Sequence, residues 1–283
     1  MSRVAYVNGR YVPHRDAAVH IEDRGYQFAD GVYEVIAVAG GRLVDEAGHL
    51  ARLRYSLGEV GIPRPMTDRA LAIVLREVVR RNLVKDGVVY LQVTRGVARR
   101  DHGWAEGMPP SVVATARPKK QPTALAAKGV SVITVPDLRW KRCDIKTVGL
   151  LPNVMAKQLA RAAGAFEAWM VDDQGNVTEG TSSNAWIVTR DGAVVTRKAD
   201  SAILNGITRT AVVEAAAAAG LALQTRPFSV DEALGAAEAF VTSTTSFVLP
   251  VISIDGRPVG DGKPGPMARK LLGLYCEKAG LGE

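Results

Sequence analysis

Cysteine is scarce in this chain: Cys143 and Cys276 are the only two among 283 residues. That excludes a disulfide framework, which a chain of this length does not need to close a core, and it fits a reducing, cytoplasmic setting. Long apolar runs are also missing. The most Ala-rich stretch, Ala211 to Leu223, is interrupted by Glu214 and Gly220, is too short to span a bilayer and reads as a soluble helix. No membrane partner is expected. Near the N-terminus the turn signal Asn8-Gly9 arrives before a signal-peptide apolar core can develop, so no export is expected. There is no G-x-G-x-x-G and no Walker loop, which removes support for the common nucleotide-binding folds. Internal repeats and low-complexity tracts are absent, and no metal ligand set stands out.

What is present is an ordinary globular composition, 47% apolar and 23% charged, far from the signature of disorder. Length favours two domains of roughly 100–170 residues each. The 36 Lys and Arg against 29 Asp and Glu leave a formal net charge of +7. These cations fall in short pieces, Arg99-Arg100, Lys119-Lys120 and Lys141-Arg142, without the aromatic interleaving of a base-stacking platform. A solvated surface accounts for them, and nucleic acid is not an expected partner. A non-catalytic basic binding protein is the rival reading from another functional class.

The first half opens with strands. Val4 to Val7 alternates, Asn8-Gly9 turns and Tyr11-Val12 returns; Val32 to Val38 alternates and turns through Gly40-Gly41 into Arg42-Leu43-Val44. Helical spacing runs from Glu46 to Val60 and from Asp68 to Leu83, the latter behind Thr67 as N-cap. Val88 to Thr94 and Ser111 to Thr115 complete this strand set, separated by a polar loop that contains Arg99, Arg100 and His102. Two prolines and three cations in Arg117 to Pro122 have the composition of an exposed connection. The boundary is therefore placed there, with a small domain over 1–117, a linker over 118–122 and a larger domain over 123–283.

Beyond it, short strands are expected near Val130 to Val135, Ala168 to Val171, Ala185 to Val188 and Ala193 to Thr196. Helices are expected after Pro152, after Thr208, after the capping box Ser229-Val230-Asp231-Glu232 and from Pro266 to Cys276. Strands and helices do not alternate regularly, which argues for an α+β arrangement rather than a doubly wound sheet or an eight-fold barrel.

One pairing carries the most chemistry: Lys146 in Cys143-Asp144-Ile145-Lys146-Thr147, and Glu179 in Val177-Thr178-Glu179-Gly180-Thr181-Ser182-Ser183-Asn184. A lysine attacks a carbonyl only when deprotonated, which apolar surroundings and nearby cations favour. Ile145 and Val148 to Leu151 supply the first condition, Lys141 and Arg142 the second. A carboxylate such as Glu179 can hold a pyridinium protonated, as an electron-sink cofactor requires. Leu204-Asn205-Gly206-Ile207-Thr208, at a helix start, can offer N–H groups and a hydroxyl to an anion. Thr242-Ser243-Thr244-Thr245-Ser246 offers more hydroxyls. Each feature has an ordinary alternative: a solvated lysine at a strand end, an exposed carboxylate after a turn, an N-cap at Thr208 and a polar turn.

Taken in order along the chain, these segments resemble the fold-type IV pyridoxal-phosphate enzymes, which include D-amino acid and branched-chain aminotransferases. The resemblance spans nearly the whole chain. It is carried by Arg142 to Lys157, Asn176 to Asn184, Ile203 to Arg209 and Ser243 to Thr245. It implies a small α/β N-terminal domain and a larger, strand-rich pseudo-barrel domain binding pyridoxal 5′-phosphate. It further implies that Lys146 carries the cofactor as an internal aldimine and shuttles a proton, while Glu179 pairs with the pyridine nitrogen. Arg52, Ile207, Thr208 and Thr244 would hold the phosphate, Leu204 would pack on the ring and Ser182 would support the ring region.

For substrate, Tyr33 in Phe28 to Val35 matches an active-site tyrosine of the family. Arg100 and His102 resemble the Arg-x-His carboxylate trap of D-amino acid aminotransferases, whose guanidinium fork suits a carboxylate. Where the family often has a proline before that arginine, this chain has Arg99. The expected activity is transfer of an amino group between D-amino acids and 2-oxo acids such as 2-oxoglutarate and pyruvate. The family resemblance also implies a homodimer in which this loop reaches the neighbouring site. Alternatives on the same scaffold are a branched-chain L-aminotransferase, an (R)-amine transaminase and aminodeoxychorismate lyase.

Overall fold

A computed structural model describes residues 3–281. They form two compact units: the first runs through Gln121 and also takes in Ile145–Gly149, and the second comprises Pro122–Asp144 and the chain from Leu150 onward.

In the first unit, β1 (Val4–Val7) and β2 (Arg10–Pro13) close as a hairpin across Asn8 and Gly9. Both turn residues have positive φ, 44° and 92°, as a two-residue hairpin matched to strand twist requires. The short helix α1 (Arg24–Phe28) follows, then β3 (Gly31–Ala39) and β4 (Arg42–Leu43). Helices α2 (Glu46–Glu59) and α3 (Asp68–Arg81) lead into β5 (Gly87–Thr94) and β6 (Ser111–Pro118). The strands form a sheet in the order β2-β1-β6-β5-β3-β4, antiparallel throughout. Thr67 caps α3 by accepting from the Ala70 amide at 3.3 Å, an interaction typically worth about 1 kcal/mol. Leu50, Leu53 and Leu57 of α2 and Leu71, Leu75 and Val78 of α3 fall at helical spacing and share one core with Val32, Ile36, Val89 and Leu91.

Strand β4 pairs with β3 only at Val38 and Ala39. At the other end of β3 the segment 145–149 takes the place of a neighbour. The Tyr33 amide donates to the Lys146 carbonyl at 3.0 Å, the Val148 amide donates to the Gly31 carbonyl at 3.0 Å, and Val32 bridges Thr147. Ile145 is buried in the first unit's core. These bonds and this burial explain why five residues distant in sequence belong to the first unit.

The second unit begins with α4 (Thr123–Lys128), β7 (Val130–Pro136), α5 (Leu151–Ala162) and β8 (Glu167–Val171). It continues with β9 (Val177–Gly180), β10 (Asn184–Val188), β11 (Val194–Thr196), α6 (Ile207–Ala218) and β12 (Leu223–Thr225). Helix α7 (Val230–Gly235), strands β13 (Glu238–Ser243), β14 (Phe247–Ile254) and β15 (Arg257–Pro258), and helix α8 (Pro266–Ala279) complete it. The mixed sheet has the order β12-β11-β10-β13-β14-β7-β8-β9, with β15 on β14. β9 lies at one edge of that order and β10 well inside it, yet only residues 181–183 join them. Four Cα steps reach about 14 Å, whereas five strand spacings in a flat sheet would be about 24 Å. The sheet must curl for the chain to make this connection. Trp169, Ile187, Phe228, Val241 and Leu249 are buried together in its core.

Candidate functional site

Within the first unit, Lys146 is fixed by its backbone before its side chain is considered. Its amide donates to Ser56 Oγ of α2 at 3.2 Å, and its carbonyl accepts from Tyr33. The Lys146 Nζ then lies 4.1 Å from the centroid of the Tyr33 ring, within range of a cation–π attraction. Tyr33 leans on Tyr90 at 5.8 Å, and burial, with Tyr33 adding to it, pushes the Tyr90 phenol up to about 12.

Next to Tyr33, strand alternation turns Glu34 onto the core face with Val32 and Ile36, where it is 1% exposed. A lone carboxylate there would be costly. Two α2 residues spaced three apart compensate it. Arg52 donates from Nε at 2.8 Å and from Nη2 at 2.7 Å, and His49 Nδ1 sits 2.7 Å from the same carboxylate. Burial pushes Glu34 up, but the Arg52 charge and the hydrogen bonds from Arg52 and His49 outweigh it and hold the carboxyl down to about 2. Burial drives His49 below its ordinary value; Glu34 opposes that shift, while the charges of Arg52 and Lys146 reinforce it. A neutral His49 facing an ionised Glu34 carries its proton on Nδ1 and donates it.

Arg100 and His102 lie in the exposed loop between β5 and β6. The Arg100 guanidinium is 4.6 Å from the Phe28 ring, and the His102 ring is 5.6 Å from it. Phe28, at the end of α1, therefore gathers both residues of the predicted trap. Lys146, Tyr33, Arg52, Arg100 and His102 all belong to the first unit.

In the second unit Glu179 lies in β9 and is buried, 6% exposed. The sequence-based alternative of an exposed carboxylate therefore does not hold. Arg139 Nη1 donates to Oε1, Asn184 Nδ2 donates to Oε2 at 3.0 Å, and the Leu204 amide reaches both oxygens at 3.2 Å. Arg139 is also gripped by Asp137, through Nε at 2.9 Å and Nη2 at 2.7 Å. Burial opposes the Arg139 charge, but bonding to Asp137 and the fields of Glu179 and Asp137 raise its pKa further. Asn184 also donates to the Leu204 carbonyl at 2.9 Å. Leu204 is thus tied to Glu179 directly through its amide and, through Asn184, by its carbonyl.

Three residues later α6 begins, with Gly206 as N-cap and no side-chain cap bond. A Cβ at Gly206 would run into Asn184 Oδ1, so the usual Ser, Thr or Asp cap is sterically excluded. Thr208 lies inside the helix and is 2% exposed, so it is not the N-cap offered by the sequence-based alternative. First-turn amides have no intrahelical acceptor and favour an anion. A buried carboxylate, an apolar Leu204 and an uncapped helix start with a hydroxyl are the donor set that a phosphorylated pyridine needs, and these residues fit it. Thr244 is half-buried in the turn after β13, where Ser243 Oγ and Ser246 Oγ are 2.6 Å apart. Ser182 is directed elsewhere: its Oγ donates to Glu167 at 3.2 Å, and Thr181 and Ser183 bond the same buried carboxylate.

Glu34, His49, Asp137, Arg139, Asn184 and Glu167 were not singled out in the sequence. Only Glu34 left a readable signal, as a charge at an apolar position of an alternating strand; the others act through partners that the fold supplies.

Residues 31–254 match the family Amino-transferase class IV. The chain is 47% identical over 264 residues to the D-alanine aminotransferase of Bacillus licheniformis, covering 93% of each. It is 40% identical over 268 residues to that of Staphylococcus aureus strain MSSA476, covering 94% of each. Among solved structures it is similar to the branched-chain aminotransferase of the thermophilic archaeon Thermoproteus uzoniensis with norvaline. That match has a TM-score of 0.86 at 29% identity, over 97% of this chain and 94% of that one.

Proposed function

We propose, since this chain belongs to the class IV aminotransferase family, that it is a pyridoxal-phosphate-dependent D-amino acid aminotransferase exchanging an amino group with 2-oxo acids. One contrast carries the reading: relatives named D-alanine aminotransferase reach 47% identity, whereas the branched-chain structure of the same fold stands at 29%. A branched-chain L-aminotransferase is the second reading, favoured by that structure's TM-score of 0.86.

When bound, pyridoxal phosphate supplies an electron sink for negative charge developing at the substrate Cα. Lys146 Nζ would carry the cofactor and would hold the proton taken from the substrate Cα. Glu179 would pair with the ring nitrogen and keep it protonated; the donors from Arg139, Asn184 and the Leu204 amide hold its carboxylate in place against the cost of burial. Leu204 would cover the ring; Ser182, whose hydroxyl is bonded to Glu167, would act on the ring region only through that carboxylate. Arg52, the Ile207 and Thr208 amides and Thr244 bind the phosphate. Tyr33, Arg100 and His102 orient the substrate carboxylate, and that orientation sets which face of Cα meets the base.

We also propose a homodimer. Leu151, Val154, Met155 and Leu159 are 57–69% exposed and lie on one face of α5, an apolar stripe that a second copy would cover. Sedimentation should give a dimer that Val154→Asp with Leu159→Asp weakens; an unchanged mass would remove this support. Among the described residues no helix is long and apolar enough to cross a membrane, and we place the protein in the cytoplasm, a location that cell fractionation tests.

The deciding assay pairs 2-oxoglutarate with D-alanine and, separately, with L-leucine. Turnover of D-alanine is expected; turnover of L-leucine alone would replace this assignment with the branched-chain one.

A further inference from the structure

The loop that carries Arg100 and His102 is exposed, and an exposed loop does not by itself hold two side chains at a fixed spacing. Its backbone has an unusual anchor. Arg24, at the start of α1, is 3% exposed. Its Nη1 donates to the carbonyl of Asp101 at 2.6 Å and to that of Gly103 at 3.1 Å, and its Nη2 donates to the carbonyl of His102 at 3.1 Å. Three consecutive carbonyls therefore converge on one guanidinium. Without that cation, their aligned dipoles would repel and the loop would open.

The guanidinium is itself held in place. Arg24 Nε donates to Asp30 Oδ2 at 2.8 Å, and Arg95 Nε donates to the same oxygen at 2.7 Å. Arg95 then reaches the carbonyls of Val60 and Gly61 at 2.7 and 2.9 Å, joining the assembly to the end of α2. Burial pushes the Asp30 carboxyl up, but the two arginines hold it below its ordinary value. Trp104, 56% exposed, covers the pair from outside, 3.9 Å from Arg95 and 5.9 Å from Arg24. The root of the loop is pinned as well: the Arg24 amide donates to the Gly96 carbonyl at 2.9 Å, and Asp23 bridges Val97.

We propose that Arg24 is the positioning residue of the substrate loop: by gathering the carbonyls of Asp101, His102 and Gly103 it sets the directions in which Arg100 and His102 meet the substrate carboxylate. The proposal rests on the reading that Arg100 and His102 bind that carboxylate. Arg24 has no direct role with substrate, because its donors point into the loop and to Asp30. Lysine cannot replace it, since one ammonium lacks the planar fork that reaches several carbonyls and Asp30 together.

The test is steady-state kinetics of the holoenzyme with D-alanine and 2-oxoglutarate for Arg24→Lys, Arg100→Ala and the double variant. Arg24→Lys should raise KM for both substrates about tenfold, since small misplacements of binding groups act on this scale, and should leave kcat within about twofold. Arg100→Ala should raise KM at least as much, and the double variant should lose clearly less than the two single losses combined, because Arg24 acts partly through Arg100, with only its effect on His102 left over. An unchanged KM in Arg24→Lys beside a raised KM in Arg100→Ala overturns the proposal while leaving the carboxylate reading intact. Additive losses in the double variant overturn it too. An unchanged KM in Arg100→Ala removes the carboxylate reading and the proposal with it. If Arg24→Lys does not fold, Trp104→Leu at the exposed cover should raise KM about two- to threefold, on the scale of one lost cation–π contact, and no change there counts against the proposal.

Discussion

Each unit sets a buried glutamate of the candidate site against an arginine, Glu34 on Arg52 and Glu179 on Arg139, and the two clusters differ in net charge. In the first unit, Glu34 is matched by Arg52, and His49 is held toward neutrality by burial; the trio sums to zero. In the second, Glu179 shares Arg139 with Asp137, so two carboxylates face that guanidinium and the trio is net negative. Further bonds to Glu179 come from neutral donors, Asn184 and the Leu204 amide. A neutral cluster shapes the surroundings of Lys146, whereas a net-negative one can stabilise a cationic ring. The same motif, a buried acid gripped by arginine, thus serves organisation in one unit and electrostatics in the other.

The contrast can be broken by removing each member. Lys146→Ala should lower transamination at least about a thousandfold, the scale of losing a general acid–base group, and should replace the Schiff-base absorbance of the loaded enzyme with that of the free aldehyde. An unaltered spectrum would show that another lysine is used. Glu179→Gln should cost roughly a hundredfold in kcat, as removal of one preorganised electrostatic partner does, with the melting temperature little changed. Glu34→Gln should act mainly on stability: it removes the carboxylate that holds Arg52 Nε and Nη2, a loss of about 3 kcal/mol in unfolding free energy, measurable by urea titration of the cofactor-free protein. Equal effects of the two substitutions on stability and kcat would erase the distinction between the clusters.

The smallest expected effect is in pH. The folded state holds His49 below its ordinary 6.5 and Glu34 at about 2 instead of 4.5. In both cases the folded protein binds fewer protons than the unfolded chain, so their stabilisation is full at higher pH and is lost on acidification. The melting temperature should begin to fall below pH 6.5 through His49, then fall further between pH 4.5 and about 2 through Glu34. His49→Gln should remove the first step only; if it persists, another group causes it.

Much of the local structure was legible in the sequence. The hairpin at Asn8-Gly9, the alternation through β3, the helices behind Thr67 and Ser229 and the uneven order of strands and helices depend on neighbours a few residues apart. Both caps form, Ser229 accepting from the Glu232 amide at 3.0 Å. The fold class and the cofactor chemistry were legible through the order of the segments around Lys146, Glu179, Gly206 and Thr244. The short elements α1, α4, β9 and β12 were not, because each has too few residues for a period to register, and neither was the longer β14, whose run is apolar on both faces and contains Pro250.

The sequence by itself determined most of the longer elements, the family and the chemical types placed at Lys146, Glu179, Arg100 and His102, since propensity, periodicity and motif order are local. Only the tertiary structure decided that Lys146 joins the edge of the first unit's sheet. It also decided that Glu34 is neutralised from α2, that Asp137 makes the Glu179 cluster net negative, and that Arg24 holds the loop 77 residues away. The physical reason is the same in each case: a buried charge or an unpaired backbone group must find its partner wherever the fold brings one, and that choice has no local signature.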